Sequence, residues 1–304
     1  MSKDLKNFLL LILLGACWGP SFLFMKVAVV YIPPITITAS RLLIGGILIC
    51  IVLNYKKISL PPLSKKWFHL FIAALVQSAI PFTLFAAGEK YVDSSVAAII
   101  GGSSPLFTLL LAHFFNHNDK ITKNKLIGSV IGFSGLFVLI FGNNNSGVGQ
   151  VNLVGATMVV MAALCYSIGF VYTKKYIHGL APMTAPAIQL LFGFLCLLPF
   201  SIFVDKSLDL TNIPDPAIYS VIALGVLGSA IAFVLYYKIL EETNSSYISM
   251  VNYITPVFGI ILGVVVLGEK LFWNSYLGCS MIIVGVMISG GLIKISFSNR
   301  FLKS

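Results

Sequence analysis

Apolar positions along this chain come in long unbroken runs, not in alternation. Ten runs stand out, at 8–30, 34–54, 67–88, 94–115, 124–142, 152–173, 180–204, 216–238, 244–267 and 272–293. Each is near the roughly 20 helical residues needed to cross a hydrocarbon core about 30 Å thick. Barrel strands would alternate apolar and polar positions, so continuous runs predict helices. The expected fold class is an all-α integral membrane protein with ten transmembrane helices. Lys3 and Lys6 before Leu14-Gly15-Ala16-Cys17 imitate a lipoprotein leader. Trp18 and a further apolar stretch follow at once, which makes this run a span.

Composition agrees with the pattern. The chain has 304 residues, 58% hydrophobic and 10% charged, against about 25% charged in an average soluble domain. A soluble enzyme and a disordered chain are both excluded. The net charge of +10 would suggest a nucleic-acid partner in a soluble protein. Here the positions of the charges give another meaning. With a cytoplasmic N-terminus, fifteen Lys and Arg fall on the inner side and only Lys90, Lys206 and Lys270 on the outer. This is the positive-inside bias. An even span count puts both termini in the cytoplasm, and the expected location is the cytoplasmic (inner) membrane, multi-pass. The lipid bilayer is the expected partner, and no nucleic acid.

The two halves repeat. A shift of 148 residues pairs Cys17 with Cys165, Phe22 with Phe170, Lys26 with Lys174, Pro34 with Pro182 and Thr36 with Thr184. A shift of 151 pairs Phe82 with Phe233, Ser94 with Ser245, Ser95 with Ser246, and Pro105 with Pro256. Each half holds an odd number of spans, so the second is inverted relative to the first. The expected organisation is one membrane domain made of two repeats, 1–146 and 147–304, an architecture found in secondary transporters.

Several stretches carry a family likeness: Cys17-Trp18-Gly19-Pro20-Ser21-Phe22, Pro34 to Leu42, Pro105-Leu106-Phe107, Pro256-Val257-Phe258, and Leu267-Gly268-Glu269-Lys270-Leu271. In these the chain resembles the EamA branch of the drug/metabolite transporter superfamily. The resemblance implies ten helices, transport of small metabolites, and a central cavity between helices one to four and six to nine. It departs at Asn118, which stands where the second half has Glu269.

Interrupted spans at matching places point to a solute site. Span four holds Gly101-Gly102-Ser103-Ser104-Pro105 and span nine Asn252-Tyr253-Ile254-Thr255-Pro256. Each proline lacks an N–H and clashes with the carbonyl four residues back. The carbonyls of Gly101 and Asn252 are therefore free for solute or for local serines, and Pro105 and Pro256 are candidate hinges. Trp18 and Tyr166, at matching mid-span positions, line a cavity or pack helices. Gln77, near Ser78 and Pro81, contacts solute or bonds a neighbouring helix. Arg41 lies near mid-span, where insertion costs about 2.5–3.5 kcal/mol. Its fork needs carbonyls or a solute carboxylate, and its counterpart is the neutral Gln189. Lys26 is expected to snorkel.

No acid falls at mid-span. Glu89 and Glu269 fall near helix ends, where solvation or pairing is expected. This argues against a fixed relay of carboxylates and favours neutral, zwitterionic or anionic solutes. The five cysteines form no CxxC, and no HExxH or GxSxG occurs. Neither a cofactor, a metal nor enzymatic chemistry is expected. Gly128 and Gly132 in span five, with Gly278 and Gly285 in span ten, suit either a homodimer seam or packing within one chain. The expected function is secondary transport of a small metabolite such as an amino acid, by alternating access and in the export direction. A passive channel and an intramembrane enzyme are the alternatives.

Overall fold

A computed structural model of the chain describes residues 3–115, 122–142, 151–181, 183–205, 212–243, 245–289 and 293. The described residues form helices and connecting turns, with no strand among them. In hydrocarbon every backbone N–H and C=O needs an internal partner, and a continuous apolar run meets that only as a helix. Among the described residues, nine helical stretches are long and apolar enough to cross a membrane; a tenth apolar helix, α15 (Trp273–Ser289), is shorter.

The first span is α1 (Lys3–Trp18) and α2 (Pro20–Val29), joined at Gly19; the second is α3 (Pro34–Tyr55). The third runs through α4 (Lys65–Ala74), a π-helical turn at Leu75–Ala79, and α5 (Ile80–Gly88). The fourth is split into α6 (Ser94–Gly101) and α7 (Ser104–Phe115), and the fifth is α8 (Lys123–Phe141). The sixth and seventh are α9 (Leu153–Tyr176) and α10 (Thr184–Phe203). The eighth again carries a π turn, Val226–Ile231, between α11 (Asp215–Gly225) and α12 (Ala232–Glu242). The ninth is α13 (Ser245–Ser249) and α14 (Val251–Leu267). The apolar pattern did not foresee the two π turns. A π turn widens the ladder and leaves carbonyls available to other donors.

Helix ends are finished by groups from distant parts of the chain. Asp205 accepts from Thr36 N at 2.9 Å and from Thr36 Oγ1 at 2.8 Å, closing the start of α3. Glu269 accepts from the backbone N–H of both Ser94 and Ser95 at 2.8 Å, doing for the start of α6 what its own N-cap residue, Asp93, does not. Lys26 donates to Glu89 O at 2.8 Å and Val92 O at 2.6 Å, just past the end of α5. Lys174 likewise donates to Leu240 O and Thr243 O, at the end of α12. Cations on terminal carbonyls satisfy groups that the helix leaves open.

Close backbone approach sets two crossings. On α8 and α15 a Cβ added to Gly128 would lie 2.3 Å from Gly285 O, and one added to Gly278 would lie 2.7 Å from Gly135 O. These glycine stripes pack on each other within the chain. Where spans four and nine cross, a Cβ on Gly102 would lie 2.7 Å from Pro256 Cγ, and one on Gly259 2.5 Å from Ala98 Cβ.

Candidate solute-binding site

A cavity of about 40 Å³ lies at the centre of the bundle. Trp18, Ser21, Phe22 and Met25 line it from the first span, Arg41 from α3, and Phe82 and Phe85 from α5. Gly101 and Ser104 contribute from the broken fourth span, Tyr166 from α9, and Asn252 and Thr255 from α14. The rings lock each other edge to face. Trp18 meets Tyr166 with centroids 5.6 Å apart, and Phe22 meets Phe85 at 5.5 Å. Such pairs add about 0.5–1.5 kcal/mol each beyond burial.

Arg41 is the one cation in this lining, and it is only 1% exposed. Its Nε donates to Ser229 Oγ at 3.1 Å, its Nη2 to Gly228 O at 3.0 Å, and its guanidinium lies 3.9 Å from the centroid of Phe82. Gly228 belongs to the second π turn, and Trp18 Nε1 also donates to its carbonyl, at 3.2 Å. The widened turn thus supplies the acceptor that holds both the cation and the indole. Among the described residues no Asp or Glu lines the cavity, and no carboxylate hydrogen-bonds the guanidinium; Glu89 reaches it only through its field.

The expected site residues divide into groups. Trp18, Arg41, Gly101, Ser104, Tyr166 and Asn252 come together around the cavity. The Nδ2 of Asn252 is buried without a hydrogen-bond partner among the described residues. Ser103, Gln77 and Gln189 lie outside the lining. Ser103 Oγ donates back to Ile100 O at 2.6 Å. Gln77 Oε1 accepts from Thr173 Oγ1 at 2.8 Å. Gln189 donates to Ser78 Oγ at 2.8 Å and accepts from Tyr237 OH at 2.5 Å. These polar groups tie helices together. The side chain of Tyr253 lies outside the described residues, as does Asn118.

The freed carbonyl of Gly101 is taken locally, by Ser104 Oγ at 2.7 Å. The fourth span breaks at Gly102–Ser103, so Pro105 stands inside the first turn of α7, where its missing N–H costs nothing. Pro256 instead lies in the interior of α14. Lys26 is turned onto carbonyls at a helix end, clear of the cavity lining.

Glu269 is paired, accepting two bonds from Ser94 and two from Ser95. Glu89 corrects the expectation of solvation or pairing: it is 0% exposed, and neither carboxylate oxygen has a hydrogen-bond partner among the described residues. Burial pushes its carboxyl well above the usual range, with Lys26 pulling down, Glu269 pushing up and Arg41 pulling down. Burial also raises Asp93, and Glu269 adds to the rise while Lys26 opposes it. An acid at a helix end reads as solvated because its burial depends on how distant helices pack.

Sequence reasoning also missed Ser21, Phe22, Met25, Phe82, Phe85 and Thr255 as lining residues, and Ser229 as the partner of Arg41. One signal was available for Ser229: it stands 151 residues after Ser78, the same shift that pairs Ser94 with Ser245.

The profile of the EamA-like transporter family matches residues 5–141 and again 153–291. The chain belongs to the EamA-like transporter family. Among its relatives is an uncharacterized transporter, YoaV of Bacillus subtilis (strain 168), 28% identical over 272 residues, covering 90% of this chain and 92% of that one. The uncharacterized inner membrane transporter YedA of Escherichia coli (strain K12) is 27% identical over 274 residues, 89% of this chain and 86% of that one. A solved crystal structure with 18% sequence identity matches this EamA-like chain at a TM-score of 0.69, over 94% of this chain and 97% of that one. At that identity the likeness is one of fold. Family and relatives make this a multi-pass membrane protein of transporter type.

Proposed function

We propose that the chain is a secondary transporter carrying a small metabolite across the cytoplasmic membrane by alternating access. The observation that carries this reading is a central aromatic cavity with one buried cation and, among the described residues, no acid in its lining, accompanied by like lysine brackets at the ends of α5 and α12. At one end Lys26 binds Glu89 O and Val92 O; at the other Lys174 binds Leu240 O and Thr243 O. The lysines are 148 residues apart, and the carbonyls in each pair of positions are 151 apart. Arg41 on Ser229 and Gln189 on Ser78 obey the same two shifts. The two π turns, beginning at Leu75 and Val226, are also 151 apart. These matches support two inverted repeats, 1–146 and 147–304; the excess of Lys and Arg on one side favours cytoplasmic termini.

The mechanism follows from that symmetry. Ligand pockets usually measure about 300–1,000 Å³, so a cavity of about 40 Å³ must widen to admit a solute. Release of one bracket opens one end while the other stays shut. The broken fourth span and Pro256 in the ninth are the proposed hinges, since they bend where the ladder is already interrupted. Arg41 favours a solute with a carboxylate or another anionic group. Trp18, Phe22, Phe82, Phe85 and Tyr166 favour an apolar or aromatic body. An amino acid or related organic acid has both. Trp18, Arg41, Gly101, Ser104, Tyr166, Asn252 and Tyr253 are the proposed contacts. Gln77, Ser103 and Gln189 support them from outside the lining. Export is the proposed direction, set by the solute gradient.

The test is thermal unfolding of purified protein against a panel of amino acids and organic anions, followed by exchange in liposomes. A ligand at 100 times its dissociation constant stabilises by about 2.7 kcal/mol. Saturable flux accelerated by solute on the far side is the expected result. Flux that neither saturates nor accelerates overturns the carrier reading in favour of a pore.

A further inference from the structure

Glu89 follows the last residue of α5, one turn past Phe85, and its N–H bonds Phe85 O at 3.0 Å. Phe85 lines the cavity, so Glu89 stands one helical turn from it. Its side chain is fully buried and neither oxygen is hydrogen-bonded among the described residues. The charges acting on it are Lys26 from α2, Arg41 from α3 and Glu269 from beyond α14; Asp93, at the start of α6, feels the same Lys26 and Glu269. The face of α9 packed on Gly88, at Gly155 and Val159, brings no titratable group. Neither cation serves the carboxylate. Lys26 donates to the backbone carbonyls of Glu89 and Val92, and Arg41 to Ser229 and Gly228 O. Glu269 adds a second acid nearby. A buried carboxylate without donors is relieved by taking a proton.

We propose that Glu89 is a proton-binding site linked to the solute cavity. It carries a proton while the bundle is closed and exchanges it with solvent when its end of the bundle opens. This rests on the reading of the cavity as an anion carrier. Arg41 draws Glu89 toward its charged form. An anion seated against the guanidinium cancels part of that field, so the proton is held more firmly when the anion is bound. Linkage is reciprocal, and the anion binds more tightly when Glu89 is protonated. Proton and monoanion then load together with no net charge.

Infrared pH titration of the purified full chain tests this, using benzoate as the anion probe and benzamide as its uncharged control. Difference spectra of wild type against E89Q cancel the bands of the probe itself. The expected result is a carboxylic-acid band persisting at neutral pH, absent in E89Q and retained in E269Q. Benzoate, and not benzamide, should shift its titration to higher pH. Benzoate affinity should gain up to tenfold per unit fall in pH where Glu89 is otherwise ionised, and E89Q should abolish that dependence. E89D, which keeps the acid, guards against misfolding of E89Q and should retain a titrating band. No Glu89-dependent band overturns the proton site. A band unmoved by benzoate that binds, as read by tryptophan fluorescence, overturns the linkage. A band present with no benzoate binding upholds the proton site and counts against the anion reading.

Discussion

At the scale of single residues, the cavity is defined by what surrounds Arg41. Its hydrogen bonds go to Ser229 and Gly228 O, and its charge has no acid in the lining. Arg41→Gln should still bond Ser229, as Gln189 bonds Ser78, but should lose the charge. A charge-assisted hydrogen bond contributes about 1.5–3 kcal/mol, so anion affinity should fall about ten- to a hundredfold while the protein stays folded. Titration of solute by thermal shift checks both. Glu89 gives a pH prediction of definite sign. Its folded-state pKa is raised, so its stabilising contribution is present below the ordinary carboxylate range and is lost as pH rises through the raised value. The melting temperature in detergent should decline with rising pH, and Glu89→Gln should flatten that decline. The arginine was visible in the sequence as a costly charge in a span. Its partner was not, because Ser229 is 188 residues away and polar groups of that kind occur in most spans.

At the scale of elements, the spans were legible and their interruptions only partly so. A run of about 20 apolar residues has one way to satisfy its backbone in lipid, so its helicity is decided locally. The break in the fourth span was flagged by Gly102 and Pro105, though the proline stands after the break instead of causing a kink inside a helix. The π turns at Leu75–Ala79 and Val226–Ile231 have no comparable mark. In the second, Trp18 and Arg41 occupy the carbonyl that the turn exposes at Gly228. Gly102→Ala tests the crossing of spans four and nine. Its Cβ would meet Pro256 Cγ at 2.7 Å, and overpacking of this kind costs about 1–3 kcal/mol. Exchange in liposomes should slow by more than expression falls. Pro105→Ala and Pro256→Ala should also slow exchange, and normal rates in both would remove the hinge role.

At the scale of the whole molecule, Lys26 caps the end of α5 and Lys174 the end of α12; in the proposed transport cycle these ends lie on opposite sides and are released in turn. Lys26→Met should favour the form open at the Glu89 end, and Lys174→Met the form open at the other. A Ser21→Cys probe in a cysteine-free background, labelled with a membrane-impermeant thiol reagent from each side in turn, reads this directly. Each lysine variant should expose the probe to one side only, and to opposite sides from each other. Equal labelling in both would remove the bracket role. The sequence by itself determined the membrane class, the number and helical nature of the apolar runs, and the family. All three rest on local length, composition or residue order. Only the tertiary structure decided which polar groups face the cavity, that Gln77 and Gln189 tie helices outside it, and that the Glu89 carboxylate is buried without a hydrogen-bond partner among the described residues. Those outcomes depend on contacts such as Arg41 with Gly228 and Lys26 with Val92, between residues 187 and 66 positions apart. Within apolar spans the backbone satisfies itself locally, but whether a buried side chain finds a partner, and which one, depends on how distant helices pack.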